Sequence, residues 1–170
     1  TTPLQWMNVA EVMFLRAEGA LRGWNMGGTA GAFYNQGVTL SFSQWGVSGA
    51  DAYLADDTSY PNGYTDPGGR YSYNTQLSTV TVKWDTADEA NFEKSLERII
   101  IQKWLANFPL GQEAWADRRR TGYPVMIPVV VNNSPNNILA SSDVPRRCPY
   151  PAQEAINNTS NYNAAVAMLG

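Results

Sequence analysis

Histidine is absent from this chain of 170 residues, and cysteine occurs once, at Cys148. The first absence excludes Ser-His-Asp and Cys-His catalysis and every histidine-bearing metal site. The second excludes an internal disulfide. Cys148 stands beside Pro149 with no histidine to activate it, and reads as a small packed residue rather than a nucleophile. Charge is also scarce, at 16% of residues, with a net balance of −3. No basic stripe is offered to nucleic acid. Arg118-Arg119-Arg120 is a lone basic run at a helix end, where cations satisfy terminal carbonyls and the helix dipole. No stretch approaches the roughly 20 apolar residues of a membrane-spanning helix. Gly27-Gly28 and Gly68-Gly69 lack the Lys, Ser or helix context of a phosphate-cradling loop.

What is present is helical periodicity and a wealth of aromatic residues. Pro3 suits the first position of a helix, where its missing N–H would have no partner. Met7, Ala10, Phe14, Ala17, Leu21 and Trp24 then recur at spacings of three and four, one apolar stripe of an amphipathic helix. Glu18 and Arg22 form an i,i+4 pair in the favourable order. After a break at Asn25-Met26-Gly27-Gly28, Thr29 caps a second helix to about Gln44, with Phe33, Gly37, Leu40 and Trp45 inward. Residues 1–46 thus read as a helical hairpin of tetratricopeptide type, a unit that needs neighbours to bury its outer faces.

Residues 47–85 lack sustained periodicity, and turn formers crowd Tyr60 to Tyr71. Thr79-Val80-Thr81-Val82-Lys83-Trp84 alternates as a short strand or an extended loop would. Thr86-Ala87-Asp88-Glu89 matches a capping box. It opens a helix that buries Phe92, Leu96, Ile99, Ile100 and Trp104 and stops at Pro109. A second helix over Gly111 to Arg120 completes segment 86–122. Segment 123–170 is rich in Pro and Asn, with a strand candidate at Val129-Val130-Val131 and a last short helix over Asn161 to Leu169.

Glu113 and Asp117 are an i,i+4 carboxylate pair, the residue type that hydrolyses glycosides when held across a cleft. On one helical turn beside arginines they read as an ion-paired face. Asp56-Asp57 and Asp85/Asp88 lack the spacing of a calcium loop, so no metal and no cofactor is expected. The tyrosines carry more. Sugar rings stack their apolar faces on aromatic rings while their hydroxyls seek polar groups. Tyr53, Tyr60, Tyr64 and Tyr71, beside Asn62 and Asp66, supply both kinds of contact. The competing reading is that these tyrosines staple a long loop to the helices.

Several blocks, in order, resemble the SusD/RagB-like outer-membrane nutrient-binding lipoproteins. Ala10 to Trp24 looks like that family's last tetratricopeptide-type helix, and Tyr34 to Gly46, ending Gln44-Trp45-Gly46, like its partner. Gly49-Ala50-Asp51-Ala52-Tyr53-Leu54, Ile101-Gln102-Lys103-Trp104 and Gly111-Gln112-Glu113-Ala114-Trp115 follow. Next come Arg119-Arg120-Thr121-Gly122-Tyr123-Pro124 and Val144-Pro145-Arg146-Arg147-Cys148-Pro149-Tyr150-Pro151, ahead of Glu154, Asn158 and Asn161-Tyr162. Arg118 and Cys148 depart from the pattern, which has an aromatic or apolar residue at the first place and a larger apolar residue at the second.

The resemblance implies a mainly α fold, in which residues 1–170 are the C-terminal portion of a larger domain. Earlier helical repeats and an N-terminal lipid anchor would lie outside it. It implies a non-enzymatic, surface-exposed protein of the outer membrane that captures an oligosaccharide or other oligomeric nutrient for a SusC-like TonB-dependent transporter. The alternatives are a glycoside hydrolase using paired carboxylates and a helical-repeat scaffold that binds only protein. Architectural turns and caps account for the family-like blocks, so ligand contacts are expected in the Tyr-rich segment.

Overall fold

The computed structural model describes residues 6–133, 139–141, 145 and 148–169. Its elements run α1 (Val9–Leu21), α2 (Ala30–Gln44), α3 (Ala50–Leu54), a 3-10 turn (Thr86–Ala90), α4 (Phe92–Ala106), α5 (Gly111–Thr121), α6 (Ala152–Asn157) and α7 (Thr159–Leu169). Among the described residues no strand forms, and the one isolated bridge pairs Tyr64 with Tyr73. The mainly α expectation holds.

The first helix starts later than its apolar stripe suggested, because Asn8 caps it. The Asn8 side chain accepts from the Glu11 N–H at 2.6 Å and donates to the Ala106 carbonyl of α4 at 3.0 Å. Pro3 lies outside the described residues, while Met7 and Trp24, at the two ends of the stripe, are exposed. Asn8 thus joins a helix cap to an interhelical bond. Asn8→Ala is expected to cost about 1–2 kcal/mol, read as a lower urea midpoint at unchanged slope.

The core gathers Ala10, Phe14 and Ala17 of α1, Phe33, Tyr34 and Val38 of α2, and Ile99 and Ala106 of α4. The close approach of α1 and α2 depends on Gly37, where an added Cβ would lie 2.8 Å from the Phe14 ring. Phe14 is fully buried and has nowhere to retreat. Gly37→Ala should therefore cost about 1–3 kcal/mol by overpacking, despite alanine's better helix propensity; thermal unfolding reads it directly.

Tyr34 and Val38 were not on the expected inner stripe of α2, which is covered on two sides. Phe14 meets Tyr34 edge-on at 6.1 Å, and Trp84 lies 5.1 Å from Tyr34 on another side. Leu40 is half-buried, and Trp45 is exposed rather than inward. The Tyr34 hydroxyl donates to the Val82 carbonyl at 2.5 Å.

This bond helps fix residues 79–84, the extended-loop alternative to the strand. Val80 and Val82 are buried, as alternation demands, but no neighbouring strand pairs with them. Their backbone is held instead by Tyr34, by Arg98 Nε on the Thr81 carbonyl at 3.0 Å, and by the Lys83 N–H on the Asp56 carbonyl at 2.8 Å.

The capping box at Thr86 is corrected. Two successive caps divide this stretch: Asp85 accepts from Ala87 N–H at 2.8 Å to open the 3-10 turn, and Asn91 accepts from Lys94 N–H at 3.2 Å to open α4. Glu89 is drawn away to the Trp84 indole N–H at 2.9 Å. Further on, Val129-Val130-Val131 is exposed and forms no strand among the described residues, although Val129 N–H donates to the Ser141 carbonyl at 2.8 Å. The final helix begins at Thr159, two residues early, and α6 precedes it. Cys148 is exposed, not packed.

A charge network ties α5 to α1 and α4. Buried Lys103 lies 2.8 Å from Asp117 and 3.6 Å from Glu11. Arg120 reaches both oxygens of Glu18, at 2.5 and 2.8 Å, and Asp117 at 2.8 Å. The expected Glu18–Arg22 pair closes the set at 2.7 Å. So the arginine run does not act as one unit. Arg118 satisfies the Gly122 carbonyl at the helix end, whereas Arg120 reaches across to α1. The expected ion-paired face is correct for Asp117; Glu113 is exposed and joins none of these pairs.

Candidate ligand-binding site

The Tyr-rich segment is built by short polar turns. Gly49, at φ 98°, starts α3, which presents Tyr53 to the body of the protein. The Tyr53 ring packs on Phe42 at 5.3 Å, and its hydroxyl lies 3.0 Å from the Gln102 amide nitrogen on α4. Asp56 then folds the chain back, accepting from the N–H groups of Thr58 and Ser59 and from the Thr58 hydroxyl, each at 2.9 Å. Those bonds, led by Ser59, hold the Asp56 carboxyl well below the usual carboxylate range.

The turn delivers Tyr60 and Pro61 to the surface facing α4. A cleft of about 220 Å³ results, with Tyr53, Tyr60, Val80, Arg98, Gln102 and Leu105 among its walls. The small volume suits one sugar ring rather than a chain of them.

Beyond the cleft, the loop doubles back on itself. Tyr64 and Tyr73 exchange backbone hydrogen bonds at 2.7 and 2.8 Å, and Ser78 N–H donates to the Pro61 carbonyl at 3.2 Å. Asp66 organises the tip, accepting from Gly68 and Arg70 N–H at 2.9 and 2.8 Å and from Tyr71 N–H at 3.2 Å. These bonds, Arg70 first, lower its carboxyl below the ordinary value. The Asn62 side-chain oxygen accepts from Gly63 N–H at 2.8 Å. Tyr60, Tyr64 and Tyr71 all remain exposed.

The six expected contact residues therefore separate by role. Tyr53 and Tyr60 share the cleft, Tyr64 and Tyr71 display rings on the adjoining loop, and Asn62 and Asp66 shape that loop through its backbone. Sequence reading missed Arg98 and Gln102. Arg98 is buried, bonds Asp88 at 2.9 Å and the Thr81 carbonyl at 3.0 Å, and among the described residues has no partner for Nη1. No local pattern announces it, since loop residues 79–84 bury what would otherwise be a solvated helix face.

The sequence matches the family model described as "SusD and RagB outer membrane lipoprotein" over residues 1–170. The chain belongs to the SusD-like family. Among solved structures, a SusD homologue of Bacteroides thetaiotaomicron is 50% identical, with a TM-score of 0.84 over 99% of this chain and 34% of that one. A SusD homologue of Bacteroides uniformis is 53% identical, with a TM-score of 0.86 over 98% of this chain and 34% of the homologue. A chitin-binding SusD homologue of Flavobacterium johnsoniae is 48% identical, with a TM-score of 0.81 over 97% and 34%. No curated protein matches the chain. This SusD-like chain thus spans about a third of the length of these relatives.

Proposed function

We propose that this chain is the C-terminal third of a lipid-anchored, surface-exposed SusD-like protein. That protein binds an oligosaccharide without cleaving it and passes it to a SusC-like TonB-dependent transporter. The observation that carries the reading is family membership at near-half identity to a homologue that binds chitin. The geometry supports it with a ring-sized cleft lined by Tyr53, exposed Tyr60 and the polar side chains of Arg98 and Gln102, and with exposed Tyr64 and Tyr71 on the loop that follows. Stacking on Tyr60, Tyr64 and Tyr71 supplies apolar contact, and Tyr53 with Gln102 supplies hydrogen bonds to hydroxyls. Asp117 is committed to Lys103 and Arg120, which removes it from the acid–base pair a glycosidase needs.

The test is calorimetric titration of the whole polypeptide with a panel of oligosaccharides, chitin oligomers included, and a reducing-end assay on the same samples. Saturable binding with no new reducing ends is expected. Cleavage abolished by a single Asp or Glu substitution would establish a hydrolase instead. A folded protein that binds no member of the panel would point to the protein-only scaffold.

A further inference from the structure

Asn62 is the one asparagine of the chain that a glycine follows. The fold demands that glycine. The Tyr64–Tyr73 exchange brings the returning loop backbone against position 63, where a Cβ would lie 2.0 Å from the Tyr73 carbonyl oxygen. A residue without a side chain is required there, and the same lack leaves its nitrogen open to reaction. The Asn62 carboxamide is folded onto that nitrogen: its Oδ1 accepts from the Gly63 N–H at 2.8 Å. The Gly63 N–H takes no part in the Tyr64–Tyr73 exchange, so no backbone bond has to break for the two groups to meet. Asn62 is exposed, and among the described residues nothing bonds its Nδ2. Two other exposed asparagines lack this arrangement. Asn25 Oδ1 accepts from the Gly27 N–H, two residues on, at 3.3 Å. Asn74 Oδ1 accepts from the Thr65 hydroxyl at 3.3 Å, and the β-branched Thr75 crowds the nitrogen that follows it.

We propose that Asn62-Gly63 is a site of spontaneous covalent modification, at which the loop converts its own asparagine to aspartate and isoaspartate. The Gly63 nitrogen gives its proton to solvent and bonds to the Asn62 carboxamide carbon. The bond from that carbon to Nδ2 breaks, and ammonia leaves. A cyclic imide results, and water opens it at either of its carbonyl carbons. Opening at the side-chain carbonyl restores the ordinary main chain, with aspartate at 62. Opening at the main-chain carbonyl routes the main chain through the side chain, which is isoaspartate. Water is consumed and ammonia released, and nothing is oxidised or reduced. Holding the two groups together is what favours the intramolecular attack. Both products add a negative charge to the loop. Isoaspartate also adds a methylene to the main chain between two anchors: the Pro61 carbonyl, held by Ser78 N–H, and Tyr64, held by Tyr73. A longer link cannot keep both anchors in register, so the Tyr64–Tyr73 exchange opens. The inference needs no ligand and stands apart from the capture reading.

The experiment holds the whole polypeptide, folded and, separately, unfolded in urea, in warm neutral buffer. Samples are taken over weeks and digested under mildly acidic conditions that halt the reaction. Peptide mass spectrometry reads the amide-to-acid conversion at each asparagine, and an isoaspartyl methyltransferase marks the rearranged product. In the folded protein, conversion at Asn62 is expected to outpace that at Asn25 and Asn74 by about tenfold or more, with isoaspartate among the products. It should fall as far in Asn62→Gln, whose longer side chain must close a larger ring. Equal rates at Asn62 and Asn74 would overturn the proposal. So would an Asn62 that stays intact in the folded protein yet reacts in urea, because the loop would then shield the amide. Aspartate with no isoaspartate would mean direct hydrolysis and would overturn the imide route. Amide hydrogen exchange tests the effect on the loop. The Tyr64 and Tyr73 N–H groups should exchange about tenfold faster in the isoaspartyl fraction than in the parent, and at the parent's rate in Asn62→Asp, which carries the charge on an ordinary main chain. Unchanged protection in the isoaspartyl fraction would overturn the opening of the loop.

Discussion

Replacing Lys103 with alanine is expected to destabilise the protein by about 3–5 kcal/mol, because it leaves two carboxylates in the interior without their shared cation. Lys103, Glu11 and Asp117 are all buried, and Asp117 retains only Arg120 after the substitution. Glu11 retains nothing comparable. Burial already raises the Glu11 carboxyl above its ordinary range, with Lys103 the leading influence against it. A raised carboxyl makes the native state bind a proton more readily than the unfolded chain. Its contribution therefore becomes less unfavourable as pH falls toward the ordinary glutamate value. Without Lys103 that dependence steepens. The deficit of Lys103→Ala should be largest near neutrality and should shrink toward about pH 5. Glu18 behaves oppositely. Burial opposes its ionisation, but bonds from Arg120 and Arg22 prevail and lower its carboxyl. Its stabilisation is present above the ordinary glutamate range and is lost as pH falls through the lowered value. Because Glu18 is common to both proteins, it cancels from their difference. Urea unfolding at both pH values, with Glu11→Gln to complete a double-mutant cycle, measures this. A loss below about 1 kcal/mol, or one that is flat with pH, would mean the network relaxes and is not a fixed clamp.

Gly63→Ala should weaken ligand binding by about tenfold or more while leaving global stability within about 0.5 kcal/mol. An added Cβ at Gly63 would sit 2.0 Å from the Tyr73 carbonyl oxygen and 2.9 Å from backbone atoms of Asn74. Backbone cannot retreat as a flexible side chain can, so the Tyr64–Tyr73 exchange opens and the rings of Tyr64 and Tyr71 lose their placement. The loop is peripheral to the α1, α2 and α4 core, which is why the damage stays local. Gly68→Ala is the matched control, since its nearest contact would be the Asp66 side chain at an ordinary 3.4 Å. It should bind as the parent does. Calorimetry and unfolding on both variants decide, and unchanged affinity in Gly63→Ala would remove the loop from the binding surface.

Helices were legible where one face does one job. The stripe of α1 marked Ala10, Phe14 and Ala17 as core, and Thr29 marked a real helix start. Legibility failed where a face meets two neighbours or a distant loop. Tyr34 is buried where residues 79–84 cross over α2, and nothing within α2 records that crossing. The same loop buries Arg98, whose sequence neighbours suggest an ordinary charged face. Lys103 and Glu11 are buried where Asp117 of α5 meets Lys103, and nothing in α1 or α4 records that contact. Asp66 illustrates a different limit. Its residue type suits sugar hydroxyls and turn construction equally well, and only backbone geometry shows that its oxygens organise the loop. The tyrosines were visible from composition alone, yet their division between cleft and loop depended on the turn at Asp56.

The central claim is that this segment forms the capture surface of the protein. The most direct measurement is a calorimetric titration of Tyr60→Ala, Tyr64→Ala and Tyr71→Ala combined in the whole polypeptide, using the oligosaccharide that binds the parent. A folded variant that no longer shows saturable heat is the predicted result. A variant that binds with the parent's affinity would contradict the account and place the ligand elsewhere on the molecule.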